Sequence, residues 1–185
     1  MGYKLTSLLD LPFEEKVSLY IFSIGDGLWE GGLQDLVNKN FDNIAREIGH
    51  DAIIVGGLSF SFHGEVVRNY LGVYHKELKN QLPALLITDA HPNNLNDESL
   101  RLLIPLSKIK TNYVTIDRFF SDLALFVKGE SNVFLTNIKD KCQNINSIND
   151  FVILQPNIIG FGVNINNIII KLTEWWNRNK KNKRS

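Results

Sequence analysis

The sequence has little cysteine: Cys142 is the only one among its 185 residues. A single thiol cannot form an internal disulfide, which excludes the disulfide-rich secreted domains. The N-terminal residues also lead into no long apolar segment of the kind that a secretory signal contains. Both features favour a cytoplasmic protein.

The sequence also lacks an excess of charge of either sign, because 20 basic residues balance 20 acidic ones. No overall field therefore steers the protein toward nucleic acid or an anionic membrane. The C-terminal end is the exception. We predict a disordered basic tail over residues 178–185 that keeps the protein soluble or, alternatively, contacts nucleic acid or anionic lipid. Its cations are Arg178, Lys180, Lys181, Lys183 and Arg184.

Long hydrophobic runs are missing as well. The most apolar late stretch, residues 158–172, is interrupted by asparagines and is too short to cross a bilayer. We therefore predict no membrane span. With 44% hydrophobic and 22% charged residues, the composition is typical of a globular protein, and the length suits a single domain over residues 1–177.

The first part of the chain alternates helix and strand patterns. Residues 5–16 predict a short packing helix. Residues 17–24 form an apolar run that predicts a buried strand, and a glycine-rich loop follows over residues 25–32. Apolar residues at helical spacing then predict an amphipathic helix over residues 33–48, ended by Gly49.

A second strand and helix follow the first pair. The strand is predicted over residues 51–55, and the helix is capped by Ser61 and ended by Gly72. A strand–helix–strand unit of this kind has parallel strands and a right-handed crossover. A third helix, capped by Thr115 and ended by Gly129, is predicted farther along the chain.

The strand over residues 82–89 begins on a proline, Pro83. Proline has no N–H for a sheet ladder and is confined to strand starts, edges and bulges. After a turn at residues 89–94, residues 101–109 predict a short strand that Pro105 places toward an edge. No helix separates the two strands, which favours an antiparallel hairpin.

The C-terminal part is predicted as an extension of this core. Residues 130–150 are polar and rich in asparagine, so we expect a surface excursion with one helical turn. A strand over residues 151–154 and an amphipathic helix over residues 165–176 follow. In that helix the apolar stripe places Trp176 on the buried face and leaves Trp175 more exposed.

The order β-α-β-α-β-β-α, with a strand that begins on Pro83, resembles the thioredoxin-like fold. The resemblance covers residues 17–129 and leaves residues 130–177 as a strand–helix extension. It implies a mixed sheet, a cis Leu82–Pro83 bond and a redox motif in the loop at residues 25–32. That loop contains no cysteine, so the resemblance implies a redox-inactive member. The alternative is a flavodoxin-like doubly wound sheet, which opens with the same element order.

A second resemblance concerns residues 156–166. This run is similar to the closing segment of some small cytoplasmic bacterial proteins associated with conflict or antiviral defence systems, and it implies no chemistry.

The thioredoxin-like resemblance implies a non-catalytic protein-binding or adaptor subunit, whose partner is another protein or a second copy of the chain. In that fold the loop at residues 25–32 lies beside the proline, where backbone groups can pair with an extended peptide. An aromatic side chain in such a loop can anchor a partner. No cofactor is expected. The predicted binding surface consists of Asp26, Trp29, Glu30, Gln81, Leu82 and Pro83.

The alternative fold implies an enzyme or a nucleotide-binding protein. It would use Asp26, Glu30, Asp89 and His91 around a metal or a phosphate. The glycine-rich loop has neither of the common phosphate-binding spacings, and the Asp-x-His-Pro string at residues 89–92 is also typical of a turn.

Metal binding and hydrolysis have weaker sequence support. The histidines form no HExxH or HxH pair, and no GxSxG motif surrounds a serine. We expect one of them, His63, to be solvated near a helix start. The residues considered are His50, His63, His75 and His91, and the serine candidates are Ser23, Ser59 and Ser61.

Overall fold

A computed structural model describes residues 1–14, 17, 19–25, 33–72, 81–112, 115–143, 152–153 and 165–182. Within these ranges six strands form one sheet in the order β1-β3-β2-β4-β5-β6. The strands are β1 (Gly2–Leu5), β2 (Tyr20–Ile24), β3 (Ile53–Gly57), β4 (Ala84–Thr88), β5 (Arg101–Pro105) and β6 (Val152–Ile153).

Helices cover both faces of this sheet. They are α1 (Leu33–Ile48), α2 (Phe60–Val66, continued by a π-helical turn over Val67–Leu71), α3 (Leu106–Asn112), α4 (Ile116–Val127), α5 (Val133–Gln143) and α6 (Ile165–Asn182). Among the described residues, short 3-10 helices span Leu8–Asp10 and Pro92–Asn94. None of the helices in the described part of the chain has both the length and the apolar character that a bilayer crossing requires.

The sheet is mixed. Strand β2 runs parallel to β3 and antiparallel to β4, and β4 runs antiparallel to β5. Strand β1 adds to β3 in parallel, and β6 adds to β5 in the antiparallel sense. The antiparallel hairpin of β4 and β5 was predicted and is confirmed. It excludes the doubly wound sheet, whose strands are mostly parallel.

Alternating strand residues supply two separate cores, because successive side chains point to opposite faces of a sheet. Ile21 and Leu85 lie in the core beneath α1, α4, α5 and α6. Phe22 and Leu86 lie in the other core, beneath α2 and the first 3-10 helix. The fold is thus a three-layer α/β/α arrangement with the sheet in the middle.

Several local predictions are confirmed. Helix α1 spans residues 33–48, and Gly49 and Gly129 follow their helices at φ 67° and φ 70°. Thr115 caps α4, since its side chain accepts a hydrogen bond from the N–H of Arg118. The Leu82–Pro83 peptide bond is cis, as predicted.

The predicted helix over residues 5–16 is confirmed only as the short 3-10 helix over Leu8–Asp10, since residues 11–14 are not helical. Strand β1, which precedes it, was not predicted. The carbonyls of Met1 and Leu5 accept hydrogen bonds from the N–H groups of Ile54 and Leu58. The helix start at Ser61 was also misplaced. Ser59 is the capping residue, because its hydroxyl accepts from the N–H of Phe62.

The strand predicted over residues 101–109 is shorter. It ends at Pro105, and helix α3 starts at Leu106, whose N–H donates to the Pro83 carbonyl over 2.8 Å. Leu106 and Ile109 are both buried, as expected for residues three apart on one helix face. Strand β5 is not an edge strand, since β6 pairs with its other side.

The C-terminal extension is more helical than predicted. Residues 133–143 form helix α5, which buries Phe134, Leu135 and Ile138 in the core. The surface excursion with a single helical turn was therefore wrong, because these apolar side chains are spaced as one helix face.

The placement of the two tryptophans was wrong as well. Trp175 is 3% exposed, and its ring centroid lies 5.2 Å from that of Phe126. Trp176 is only partly buried, with the Lys180 ammonium 4.5 Å from the centre of its ring. The tail boundary changes too, since α6 continues to Asn182 and the Asn179 amide donates to the Val127 carbonyl.

Candidate functional site

The structure brings part of the predicted binding surface to one end of the strands. Strands β2 and β3 finish at this end and β4 begins there, and we call it the proline end. Ile24 pairs with Ala84, so Gly25 lies across from Pro83. Gln81 also lies here, and the side chains of residues 81–83 are all partly exposed.

The remaining predicted residues, Asp26, Trp29 and Glu30, follow Gly25 in sequence but lie outside the described residues. The rest of the glycine-rich loop, residues 26–32, also lies outside the described residues. Its predicted role in binding stays a prediction.

The backbone beside Pro83 has groups that no described residue pairs with. Neither the N–H nor the C=O of Leu82 makes a hydrogen bond to another described residue. The next carbonyl, that of Pro83, is already used by the N–H of Leu106. Leu82 thus offers one donor and one acceptor next to the point where the loop leaves Gly25.

His63 lies behind the proline end and is buried, so its predicted exposure to solvent was wrong. Its Nδ1 accepts a hydrogen bond from the Gly25 N–H at 3.2 Å, which places the proton of the neutral ring on Nε2. The ring also crowds Gly57, where an added Cβ would come within 2.7 Å of Cε1. Capping by Ser59 sets the start of α2, and that start turns His63 inward.

Two exposed apolar residues at the proline end were missed from the sequence. Leu58 and Phe60 follow β3 and are 55% and 65% exposed. They flank Ser59, so the only sequence signal was an alternation of apolar residues and serines across a helix start. Exposed apolar side chains near a free backbone segment are typical of a protein-binding surface.

The opposite end of the strands, where β4 finishes and β5 begins, contains Asp89 and His91. Asp89 Oδ1 accepts from the Leu100 N–H at 2.7 Å, and His91 Nδ1 accepts from the Asn93 N–H at 3.2 Å. His91 Nε2 lies 3.3 Å from the Leu11 carbonyl and donates to it. Both side chains therefore stabilise the turn, and the turn interpretation of Asp-x-His-Pro is confirmed. We call this the turn end.

The described residues give no geometric support to the metal and hydrolase hypotheses. The described residues contain no group of three or more His, Cys, Asp or Glu side chains placed to hold a metal, and His75 lies outside them. The Ser59 hydroxyl donates to the Thr6 carbonyl and lies 2.8 Å from that of Ser61. Both hydroxyls thus belong to the helix start. Ser23 is buried within β2, and His50 follows α1 at the surface.

The basic cluster is only partly described. Arg178 and Lys180 lie on α6, where Lys180 contacts the Trp176 ring and Arg178 is exposed. Lys181 is within the helix, and Lys183 and Arg184 lie outside the described residues. The contact of this cluster with nucleic acid or anionic lipid stays a prediction.

Comparisons with known proteins add no relative to this description. No family model, curated protein or solved structure matches the chain.

Proposed function

We propose that the chain is a redox-inactive thioredoxin-like domain that binds another protein through the proline end, as an adaptor subunit. The order β3-β2-β4-β5, with one parallel and two antiparallel pairings, is the arrangement that the resemblance implies, and it supports this proposal. The only cysteine, Cys142, lies on α5, outside the part of the chain that resembles a redox domain. Without a thiolate in the loop after β2, binding is the activity that remains for the proline end.

One observation carries the proposal: Gly25 lies across from Pro83, next to a Leu82 N–H and C=O that pair with no other described residue. An extended peptide pairs with such groups as an added strand would. Trp29 follows Gly25 by four positions in sequence and lies outside the described residues, and a tryptophan is a common anchor of protein interfaces.

The exposed side chains of Leu58 and Phe60 extend this surface along the end of β3. Neighbouring strands are spaced by about 5 Å, so the β3 end lies about 10 Å from Pro83, across β2. An extended peptide of a few residues covers that distance. We expect its backbone to pair with Leu82 and an apolar side chain to contact Phe60.

We extend the proposal to the partner. The resemblance of residues 156–166 to bacterial conflict and defence proteins favours a component of such a system. A second copy of the chain is the other partner that the same surface can accept.

The proposal is tested by capture of the partner with the tagged full chain, followed by affinity measurements on the purified pair. We expect Trp29→Ala to weaken binding about thirtyfold, as for an interface anchor. Leu82→Pro removes the N–H and should also weaken binding. Val133→Ser, on α5 and away from the proline end, is the matched control for loss of an exposed apolar side chain.

Thermal unfolding of each variant separates lost binding from lost folding. Wild-type affinity in folded Trp29→Ala and Leu82→Pro variants would contradict the proposal. Sedimentation of the isolated chain at rising concentration distinguishes a second copy from a different protein.

A further inference from the structure

The turn end contains a cleft that the proposed function does not use. Its volume is about 400 Å³, which is within the range of small-molecule sites. It lies between the segment that precedes β2 and the turn between β4 and β5. The described residues that line it include Phe13, Glu14, Tyr20, Asp89 and Asn94.

Tyr20 is the most informative of these residues. Its side chain is 2% exposed, yet its hydroxyl has no hydrogen-bond partner among the described residues. Tyr20 lines the cleft, and the charge of Glu14, another lining residue, acts on its hydroxyl. Buried polar groups are nearly always paired, and an unpaired one at the floor of a cleft points to a ligand.

Tyr70 shows what a structural tyrosine does in the same core. Its hydroxyl donates to the Ala90 carbonyl over 3.0 Å. Burial, and next the negative charge of Glu14, raise the pKa of Tyr20 above its ordinary value. The phenol therefore stays protonated and presents an oxygen lone pair as well as its O–H.

The charge of the cleft is negative. Glu14 is partly buried and forms no ion pair with a described residue. Glu98 lies 3.4 Å from the Lys171 ammonium, so that its charge is offset. His91 is engaged at both ring nitrogens. No lysine or arginine among the described residues lines the cleft, whereas three carboxylates do, those of Glu14, Asp89 and Glu98. Among these, Glu14 has neither an ion pair nor a hydrogen bond to its carboxylate from a described residue.

The rim of the cleft carries an aromatic ring. Phe13 is 59% exposed, and its ring meets that of His91 at a centroid distance of 5.5 Å. An exposed ring beside an unpaired carboxylate is suited to an organic cation, which gains from both charge and the electron-rich ring face. A neutral sugar would leave the Glu14 charge without a partner.

We propose that this cleft binds an organic cation, a primary ammonium or guanidinium group. Glu14 is the counter-ion, the Tyr20 oxygen accepts a hydrogen bond from the ligand, and Phe13 covers its hydrocarbon or cationic face. The cation belongs either to a free amine or to a lysine or arginine side chain of a peptide. This site is separate from the proline end and does not depend on it.

The test is calorimetric titration of the full chain with agmatine, which carries an ammonium and a guanidinium group on a four-carbon chain. Butane-1,4-diol, with the same chain and no charge, is the matched neutral probe. We expect agmatine to bind more tightly than the diol, and its affinity to fall as salt is added. N-acetyl-lysine amide then shows whether a peptide source binds better than the free amine.

Variants assign the residues. Glu14→Gln should weaken agmatine binding roughly tenfold, since it removes the carboxylate charge without changing the shape of the site. Tyr20→Phe should weaken agmatine binding about threefold to tenfold with no loss of thermal stability, because the lost hydroxyl has no partner among the described residues. Tyr70→Phe is the reverse control, and it should lower thermal stability while binding is kept.

Three results would overturn the proposal. The first is the absence of agmatine binding at low salt. The second is equal binding of agmatine and butane-1,4-diol, and the third is an unchanged agmatine affinity in Glu14→Gln, since either of these shows that charge plays no part.

Discussion

The backbone N–H of Gly25 donates a hydrogen bond to Nδ1 of His63, at 3.2 Å and shielded from solvent. This bond joins Gly25, the first residue of the glycine-rich loop, to a residue of helix α2 that lies 38 positions away in sequence. The start of the loop and the position of α2 are therefore coupled. Any partner bound at the proline end meets a backbone that a buried histidine holds in place.

Replacing His63 by leucine should destabilise the protein by about 1–3 kcal/mol, because the Gly25 N–H loses its acceptor in a buried place. His63→Asn should be less destabilising, since the asparagine Oδ1 can occupy the position of Nδ1. Urea unfolding of both variants measures the difference. Equal losses would show that ring packing, and not the hydrogen bond, makes the contribution.

A methyl group at Gly57 should also be costly. An added Cβ would come within 2.6 Å of Phe62 Cδ1 and 2.7 Å of His63 Cε1. We expect Gly57→Ala to lower the free energy of unfolding by about 1–3 kcal/mol through overpacking.

Gly64→Ala is the matched control for this change. An added Cβ at Gly64, within α2, has no other atom within 4 Å. Alanine is the better helix former, so this variant should gain about 0.5–1 kcal/mol. If both variants change stability in the same direction, the crowding at Gly57 is not the cause.

The corrected start of α2 can be tested at two serines. Ser59→Ala should cost about 1 kcal/mol, because the Ser59 hydroxyl accepts from the Phe62 N–H. Ser61→Ala should cost less, since its hydroxyl contacts that of Ser59 and caps no N–H in α2. Thermal and urea unfolding rank the two. The reverse ranking would restore the cap expected from the sequence.

The two neighbouring tryptophans should differ sharply. Trp175→Ala removes a ring packed on Phe126 and should cost about 3–5 kcal/mol. Trp176→Ala should cost less, because that ring is partly exposed and its buried Nε1–H has no acceptor among the described residues. Chemical unfolding checks the order, which would be inverted if Trp176 formed the core.

Alkaline pH should destabilise the protein through Tyr70. Burial, and then the neighbouring Tyr20, raise the pKa of Tyr70 far above its ordinary 10.0, although Arg101 opposes this. The unfolded chain therefore releases this proton first, so that the stabilisation is complete below pH 10.0 and is lost as pH rises above it.

Tyr70→Phe isolates this contribution. Near neutral pH the variant should be less stable by about 1 kcal/mol, through loss of the hydrogen bond to Ala90. Above pH 10.0 the wild type should lose about 1.4 kcal/mol per pH unit relative to the variant, so that the difference closes within about one pH unit and then reverses. Urea unfolding at several pH values between neutral and alkaline gives the difference directly, and a constant gap would contradict the assignment.

Much of the fold was predictable because the signals are local. Helix α1 follows from apolar residues at helical spacing, and Gly49 marks its end. Pro83 marked the entry of β4, and the turn chemistry of Asp89 and His91 was read from a short string. Each of these depends on residues a few positions apart, whose geometry the backbone itself restricts.

Other features depend on segments that meet only in the folded protein. Strand β1 forms by pairing with β3, which is distant in sequence. The sequence near Asp10 and Pro12 indicates only a local helical turn and contains no information about that pairing. The spacing that identifies helix α6 does not say which of Trp175 and Trp176 is more deeply covered, since both lie near the same stripe.

The candidate sites divide in the same way. Sequence alone determined that the loop after β2 has no thiol and that Pro83 starts a strand beside it. Tertiary structure decided that His63 is buried against Gly25, that no described residue pairs with the Leu82 backbone, and that Tyr20 lines a cleft. These depend on burial and hydrogen-bond pairing between distant segments, and local pattern carries no information about either.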